Sequence, residues 1–185
     1  MIAVAVKGQT MSQRHSKDFY PTPAIATEAL LKREMFAPLV WECACGDGSL
    51  SKVLEKNDYK TFNTDLYDYG YGESKRDFLS YNSLPFPVCD IVTNPPYRLA
   101  NQFVLKALEL KPRKFAFLLR LAFLEGIWRK ENIFVKYPPS SVYVFSKRLT
   151  IWRGDQDIKG NGTTAYAWFV WNSYSVNRSC KVNWI

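Results

Sequence analysis

The chain has 185 residues, with 25 Lys and Arg against 17 Asp and Glu, so its net charge is +8. Hydrophobic residues make up 47% and aromatics 16%, which excludes a disordered chain and provides the core of one domain spanning residues 1–185. No apolar run approaches membrane-span length, and the opening Met1-Ile2-Ala3-Val4-Ala5-Val6 has no basic flank, so neither a span nor a signal peptide is expected.

Residues Met1 to Lys17 read as a polar arm. Thr22-Pro23 then reads as a helix start, with Thr22 at the N-cap and Pro23 in the first helical position, leading into a helix from Ala24 to Met35. Leu39 to Glu42 is a short buried strand, Gly46 and Gly48 make a turn, and Leu50 to Asn57 is the following helix. A second strand runs from Tyr59 to Thr64 and stops at Asp65, before a loop rich in Tyr and Gly. The apolar run Cys89 to Thr93 leads straight into Asn94-Pro95-Pro96-Tyr97, with a helix from about Leu99 to Leu110 behind it. Phe115 to Leu119 is a fully apolar strand, followed by a helix over Gly126 to Lys136. Val142 to Phe145 and Ala165 to Trp171 are the last strands; with no helix between them they should pair as an antiparallel hairpin at one edge. Alternation of strand and helix implies an α/β fold, a mainly parallel sheet with helices on both faces.

Cys43, Cys45, Cys89 and Cys180 lack paired zinc spacing and read as reduced, mostly buried thiols of an intracellular, cytoplasmic protein; no metal is expected. The basic residues are unevenly placed. From Arg98 to Arg153 there are twelve Lys and Arg against three Glu, so the positive excess follows the Asn-Pro-Pro-Tyr segment. That distribution suits a polyanion, or a set of solvated helix faces.

Asn94 to Tyr97 carries the chemistry. The Asn94 side-chain oxygen and the Pro95 carbonyl can accept both hydrogens of an exocyclic amine while the stiff Pro95-Pro96 pair holds them in place. Tyr97 offers a flat face to the ring or amide that carries the nitrogen. Such acceptors strengthen as positive charge builds on the amine and so act on the transition state. Turn chemistry alone is the plainer reading of Asn-Pro-Pro.

Four pieces fall where open parallel sheets place their sites. Glu42-Cys43-Ala44-Cys45-Gly46-Asp47-Gly48 follows the first strand; Ala44 stands where a dinucleotide fingerprint has its first Gly, and Glu42 would repel a phosphate but tolerate a cation. Asp65 can take two ribose hydroxyls, Asp77 with Phe78 can meet an adenine, and Thr22 at a helix N-terminus suits a carboxylate. Singly, Asp65 also reads as a loop residue, Asp77 as a turn former and Thr22 as a plain cap. Together they describe a site for S-adenosylmethionine.

These residues resemble those of small class I S-adenosylmethionine-dependent DNA adenine N6-methyltransferases carried by phages and prophages. The matching blocks are Asp18 to Pro23, Glu42 to Gly48, Asp65, Asp77-Phe78, Asn94 to Tyr97 and Ala165 to Trp171. The resemblance implies a Rossmann-like, mostly parallel seven-stranded sheet with an antiparallel edge hairpin. It implies a first block, including Tyr20 and Thr22, at the methionine end of the cofactor. It further implies DNA as partner and N6-methylation of a flipped adenine, in host cytoplasm where phage-encoded. A separate target-recognition domain is not expected in 185 residues. A second base-stacking aromatic is expected between the last strands, where Arg148, Trp152 and Arg153 combine charge with a stacking surface. RNA bases, a protein glutamine amide, or a non-enzymatic nucleic-acid-binding subunit remain as alternatives.

Overall fold

The computed structural model describes residues 19–151, 164–173 and 179–185. Seven strands form one sheet: β1 (Leu39–Glu42), β2 (Lys60–Asn63), β3 (Asp90–Thr93), β4 (Lys114–Arg120), β5 (Ser141–Val144), β6 (Tyr166–Asn172) and β7 (Lys181–Trp184). Their order is β2-β1-β3-β4-β6-β5-β7. β6 alone runs against its neighbours; every other pairing is parallel. This is the Rossmann-like class I methyltransferase architecture.

Alternation along the strands divides the core into two layers. Trp41, Ile91, Phe115, Phe117, Phe169 and Trp171 point to one face, where α3 (Ala100–Leu110) contributes Phe103, Val104 and Ala107. Val40, Val92, Ala116, Leu118, Trp168 and Val170 point to the other, against Ala26 and Leu30 of α1 (Ala24–Leu31) and Leu50 and Leu54 of α2 (Ser49–Lys56). Burying each large side chain contributes about 1.5–3 kcal/mol. The indole N–H of fully buried Trp168 donates to the Ala26 carbonyl at 2.8 Å, so α1 is fixed to the sheet by a bond as well as by area.

Three expectations are corrected. Helix α1 stops at Leu31, and Pro23, not Thr22, occupies its N-cap with no side-chain cap bond. The expected antiparallel hairpin forms between β5 and β6, but it is not the edge itself: β6 inserts between β4 and β5, and β7, with no counterpart in the strands read from the sequence, pairs with β5 outside it. The expected helix over 126–136 begins as α4 (Ile127–Arg129) and widens into a π-helical turn, Lys130–Phe134. Among the described residues, no helix is long and apolar enough to cross a membrane.

The two ends of the sheet differ. At the amino ends, fully buried Asp90 accepts from the backbone N–H of Ala37 (2.6 Å) and of Lys114 (3.1 Å) and from the Arg113 guanidinium. It thereby ties the starts of three neighbouring strands, β1, β3 and β4. The carboxyl ends release Glu42, Asn94 and Arg120 toward two clefts.

Candidate active site

The first cleft is built on the loop after β1. Gly46 and Gly48 adopt left-handed conformations (φ +52° and +76°). A Cβ on Gly46 would lie 2.4 Å from the Phe19 ring, which itself stacks on Tyr69 with centroids 4.5 Å apart. The loop is held from below by Asp65, whose carboxylate accepts from the N–H of Gly46 (2.9 Å) and of Tyr67 (2.8 Å). Burial raises the Asp65 pKa against those amide bonds. With the Leu66 amide also beside it, the carboxylate still has lone-pair capacity for a further donor. Asp77 likewise uses one oxygen on the Leu79 N–H (2.9 Å), beside buried Phe78.

Glu42 is 2% exposed and bonded to the Ser51 hydroxyl, which also lies 2.6 Å from the Asn63 side-chain oxygen. Burial drives its pKa well above the carboxylate range; the Ser51 contacts oppose this, and Asp65 and Asp47 add to it. A desolvated carboxyl at a cleft wall is a poor neighbour for phosphate and a good one for a cation. Glu42, Ala44, Gly46, Asp65, Asp77 and Phe78 all line this cleft, as do Tyr20 and Thr22. Gly48 sits behind it, where an added Cβ would meet the Tyr71 ring at 2.4 Å. A missing Cβ beneath an aromatic roof, a buried acid and carboxylates with spare lone pairs make a donor and acceptor set that fits S-adenosylmethionine.

Asn94 closes the end of this cleft. Its Nδ2 donates to the Tyr20 carbonyl and to the Thr22 hydroxyl oxygen, both at 3.1 Å. A backbone carbonyl can only accept, so the nitrogen must face Tyr20 and the orientation of the amide is determined. The Asn94 side-chain oxygen is then left buried without a hydrogen-bond partner. Thr22, read from sequence as a helix cap, instead anchors this amide.

Tyr97 stands on the other side. Its ring is 5.4 Å from Tyr20 and 5.5 Å from Tyr166, and the Arg120 guanidinium lies 4.9 Å over it. Burial and the adjacent Tyr166 push its hydroxyl pKa up, with the Asn94 side chain and Arg120 opposing, and the hydroxyl sits beside Tyr166 and Asn94 without a well-formed hydrogen bond. A second cleft of about 240 Å³ opens here, lined by Tyr97, Arg98, Asn101, Arg120, Phe123 and Arg129. Arg98 lines both clefts and Pro96 lines the first, so the Pro96–Arg98 segment forms the wall between them. Pro95 is buried beneath it.

Of the substrate-binding residues expected from sequence, Trp152 and Arg153 lie outside the described residues, and Arg148 is exposed beyond β5 and lines neither cleft. Sequence reasoning missed Tyr166 and Arg120, which meet Tyr97 because β6 pairs antiparallel with β4 in the register Arg120↔Tyr166. Antiparallel insertion of β6 was not readable, so neither was that meeting. Phe19 and Tyr69, the roof over Gly46, carried a weak signal in the aromatic richness of their segments.

No protein-family model matches the chain, and no curated protein matches it by sequence. Solved structures do match. The 23S rRNA methyltransferase ErmE superposes with a TM-score of 0.56 at 17% identity, covering 83% of this chain and 69% of ErmE. A candidate RNA methyltransferase of Pyrococcus horikoshii gives 0.54 at 14%, covering 80% and 81% of the two chains. A dimethyladenosine transferase of Plasmodium falciparum gives 0.52 at 13%, covering 83% of this chain and 62% of that one. The chain has their fold.

Proposed function

We propose that this protein is an S-adenosylmethionine-dependent methyltransferase acting on the exocyclic N6 amine of adenine in DNA. The observation that carries the reading is the Asn94 amide in the cleft wall: pinned through its nitrogen, with a buried oxygen that makes no hydrogen bond within the protein. An unsatisfied buried carbonyl costs about 1–3 kcal/mol, and an amine N–H removes that cost on arrival. Tyr97, next in the wall, supplies the ring face for a planar base.

Bound S-adenosylmethionine supplies an electrophilic methyl group on a sulfonium. Tyr20, Thr22, Glu42, Ala44, Gly46, Gly48, Asp65, Asp77 and Phe78 would hold it, Gly48 by shaping the loop rather than by contact. The Asn94 side-chain oxygen and the Pro95 carbonyl accept the two amine hydrogens, which favours a pyramidal nitrogen with a localised lone pair. Both hydrogen bonds would strengthen as the acceptor nitrogen takes up positive charge, so Asn94 and Pro95 would act on the transition state. The extra proton leaves to water afterwards, so no base is needed before attack.

A second reading is RNA base methylation, favoured by two fold neighbours that are named as RNA or rRNA methyltransferases. One experiment separates these. S-adenosylmethionine with a labelled methyl group is offered with DNA, RNA and protein, and the products are digested to nucleosides and amino acids. Label in N6-methyldeoxyadenosine is expected. Label in a ribonucleoside would favour RNA, label in methylglutamine would replace both, and no label in any arm would refute methyl transfer.

A further inference from the structure

The second cleft is not needed for the cofactor; Tyr97 is the one motif residue that lines it, and the rest of its lining comes from the basic stretch that begins at Arg98. Three arginines face the cleft. Arg98 and Arg120 are exposed and Arg129 is half-buried. Among the described residues, no carboxylate lies within ion-pair distance of any of them. Other cations of the same basic segment are engaged: Arg113 with Asp90, Lys114 with Glu34, Lys106 with Glu109. Arg129 donates to the Glu125 carbonyl at 2.6 Å and lies 5.2 Å over the Phe123 ring, so one arginine is pre-set in direction.

Beside this cleft runs an apolar lip. Leu124, Ile127 and Trp128 are 43%, 78% and 48% exposed on the turn that connects the cleft residues Phe123 and Arg129. Large apolar side chains in a row at the rim of a basic cleft are costly unless something covers them. A nucleic-acid strand has the matching chemistry: anionic phosphodiesters for the arginines and flat bases for an indole.

We propose that the Arg98, Arg120 and Arg129 cleft holds the phosphates flanking the acceptor nucleotide, and that Trp128 on its rim stacks a neighbouring base of the same DNA strand. The proposal rests on the function proposed above and names where that substrate runs. Arg120 has a double part. In the protein without DNA its guanidinium covers the Tyr97 ring, and a base arriving on that ring displaces it toward the phosphate.

The test is equilibrium binding of a short fluorescein-labelled single-stranded DNA, by anisotropy, without cofactor, between about 50 and 200 mM salt. Each phosphate contact contributes about 0.7 to the slope of log affinity against log salt on a single strand. Arg98→Gln and Arg120→Gln should each lower the slope by about that amount. Trp128→Ala should weaken binding by roughly fivefold to a hundredfold at fixed salt, with the slope unchanged. Lys60→Gln, an exposed charge at the amino end of β2, is the control and should leave the slope as in wild type. All four side chains are exposed enough to be replaced without unfolding, and Arg129 is left in place because it also holds its own turn. Unchanged slopes in both arginine variants, or an equal loss in Lys60→Gln, would overturn the cleft; unchanged affinity in Trp128→Ala would overturn the lip. If wild type labels no nucleic acid but shows this binding pattern, the proposed function fails and the cleft stands as a strand-binding site only. If wild type labels DNA and the variants bind as it does, the inference alone fails.

Discussion

Asn94, the proposed catalytic group, shows how much of such a residue lies in its anchors. The residue type and its place after a buried strand were readable, because Asp90 to Thr93 is an uninterrupted buried run ending in Pro-Pro. The orientation of its amide was not, since it depends on a carbonyl 74 positions upstream. Replacing Asn94 by Ala removes one oriented acceptor and should lower turnover on the order of 100-fold or more, by analogy with lost oxyanion donors. Calorimetry should find cofactor affinity close to wild type; normal turnover would refute the catalytic assignment. Glu42 gives a prediction of a different kind. Its pKa is raised by burial from the ordinary 4.5, so the folded state holds this proton more tightly than the unfolded chain does. Stability from this group is complete below about that pH and is lost as the pH rises through the folded pKa. Glu42→Gln lacks the titration. Urea midpoints of the two proteins should diverge in favour of the variant as pH rises from 4.5 upward; a gap independent of pH would remove the linkage.

At the level of elements, strands with two buried faces were the legible ones. β3, β4 and β6 are almost wholly buried because layers cover both sides, and their boundaries fell within a residue or two of those expected. β7 was invisible for the converse reason: Lys181, Val182 and Trp184 are exposed and the strand buries no pattern that a sequence could display. The loop between β1 and α2 was legible through its glycines, though not through what they face. Gly46→Ala tests that loop. The left-handed backbone alone costs a non-glycine residue about 1–2 kcal/mol, and the new Cβ, 2.4 Å from the Phe19 ring, forces the aromatic roof to move. Unfolding by urea should show a loss of about that size or more, and calorimetry a weaker cofactor site. Wild-type values in both measurements would mean that the roof and turn are not part of the site.

Across the whole molecule, the sheet separates stability from chemistry by its two ends. The +9 balance between residues 98 and 153 could not be divided from sequence, because the pairing of Arg113 with Asp90 and of Lys114 with Glu34 requires the folded amino ends. That part of the charge holds the fold together, while the arginines beyond the carboxyl ends remain for a ligand. Asp90→Ala and Asn94→Ala, four positions apart on one strand and its exit, should therefore fail in opposite ways. Removing the Asp90 carboxylate leaves the buried N–H groups of Ala37 and Lys114 unsatisfied, at about 1–3 kcal/mol each. Arg113 is partly exposed and can return to water, so its loss of a partner adds little. A drop of about 3 kcal/mol in unfolding free energy is expected, with turnover per folded molecule near wild type at low temperature. Asn94→Ala removes an oxygen that was already unpartnered, at the expense of two hydrogen bonds through its nitrogen, so its stability should stay within about 1 kcal/mol of wild type. Urea unfolding and methyl-transfer rates on the same two preparations decide the matter. If Asp90→Ala lost turnover in proportion to Asn94→Ala while still folded, the division of labour between the two ends would be wrong.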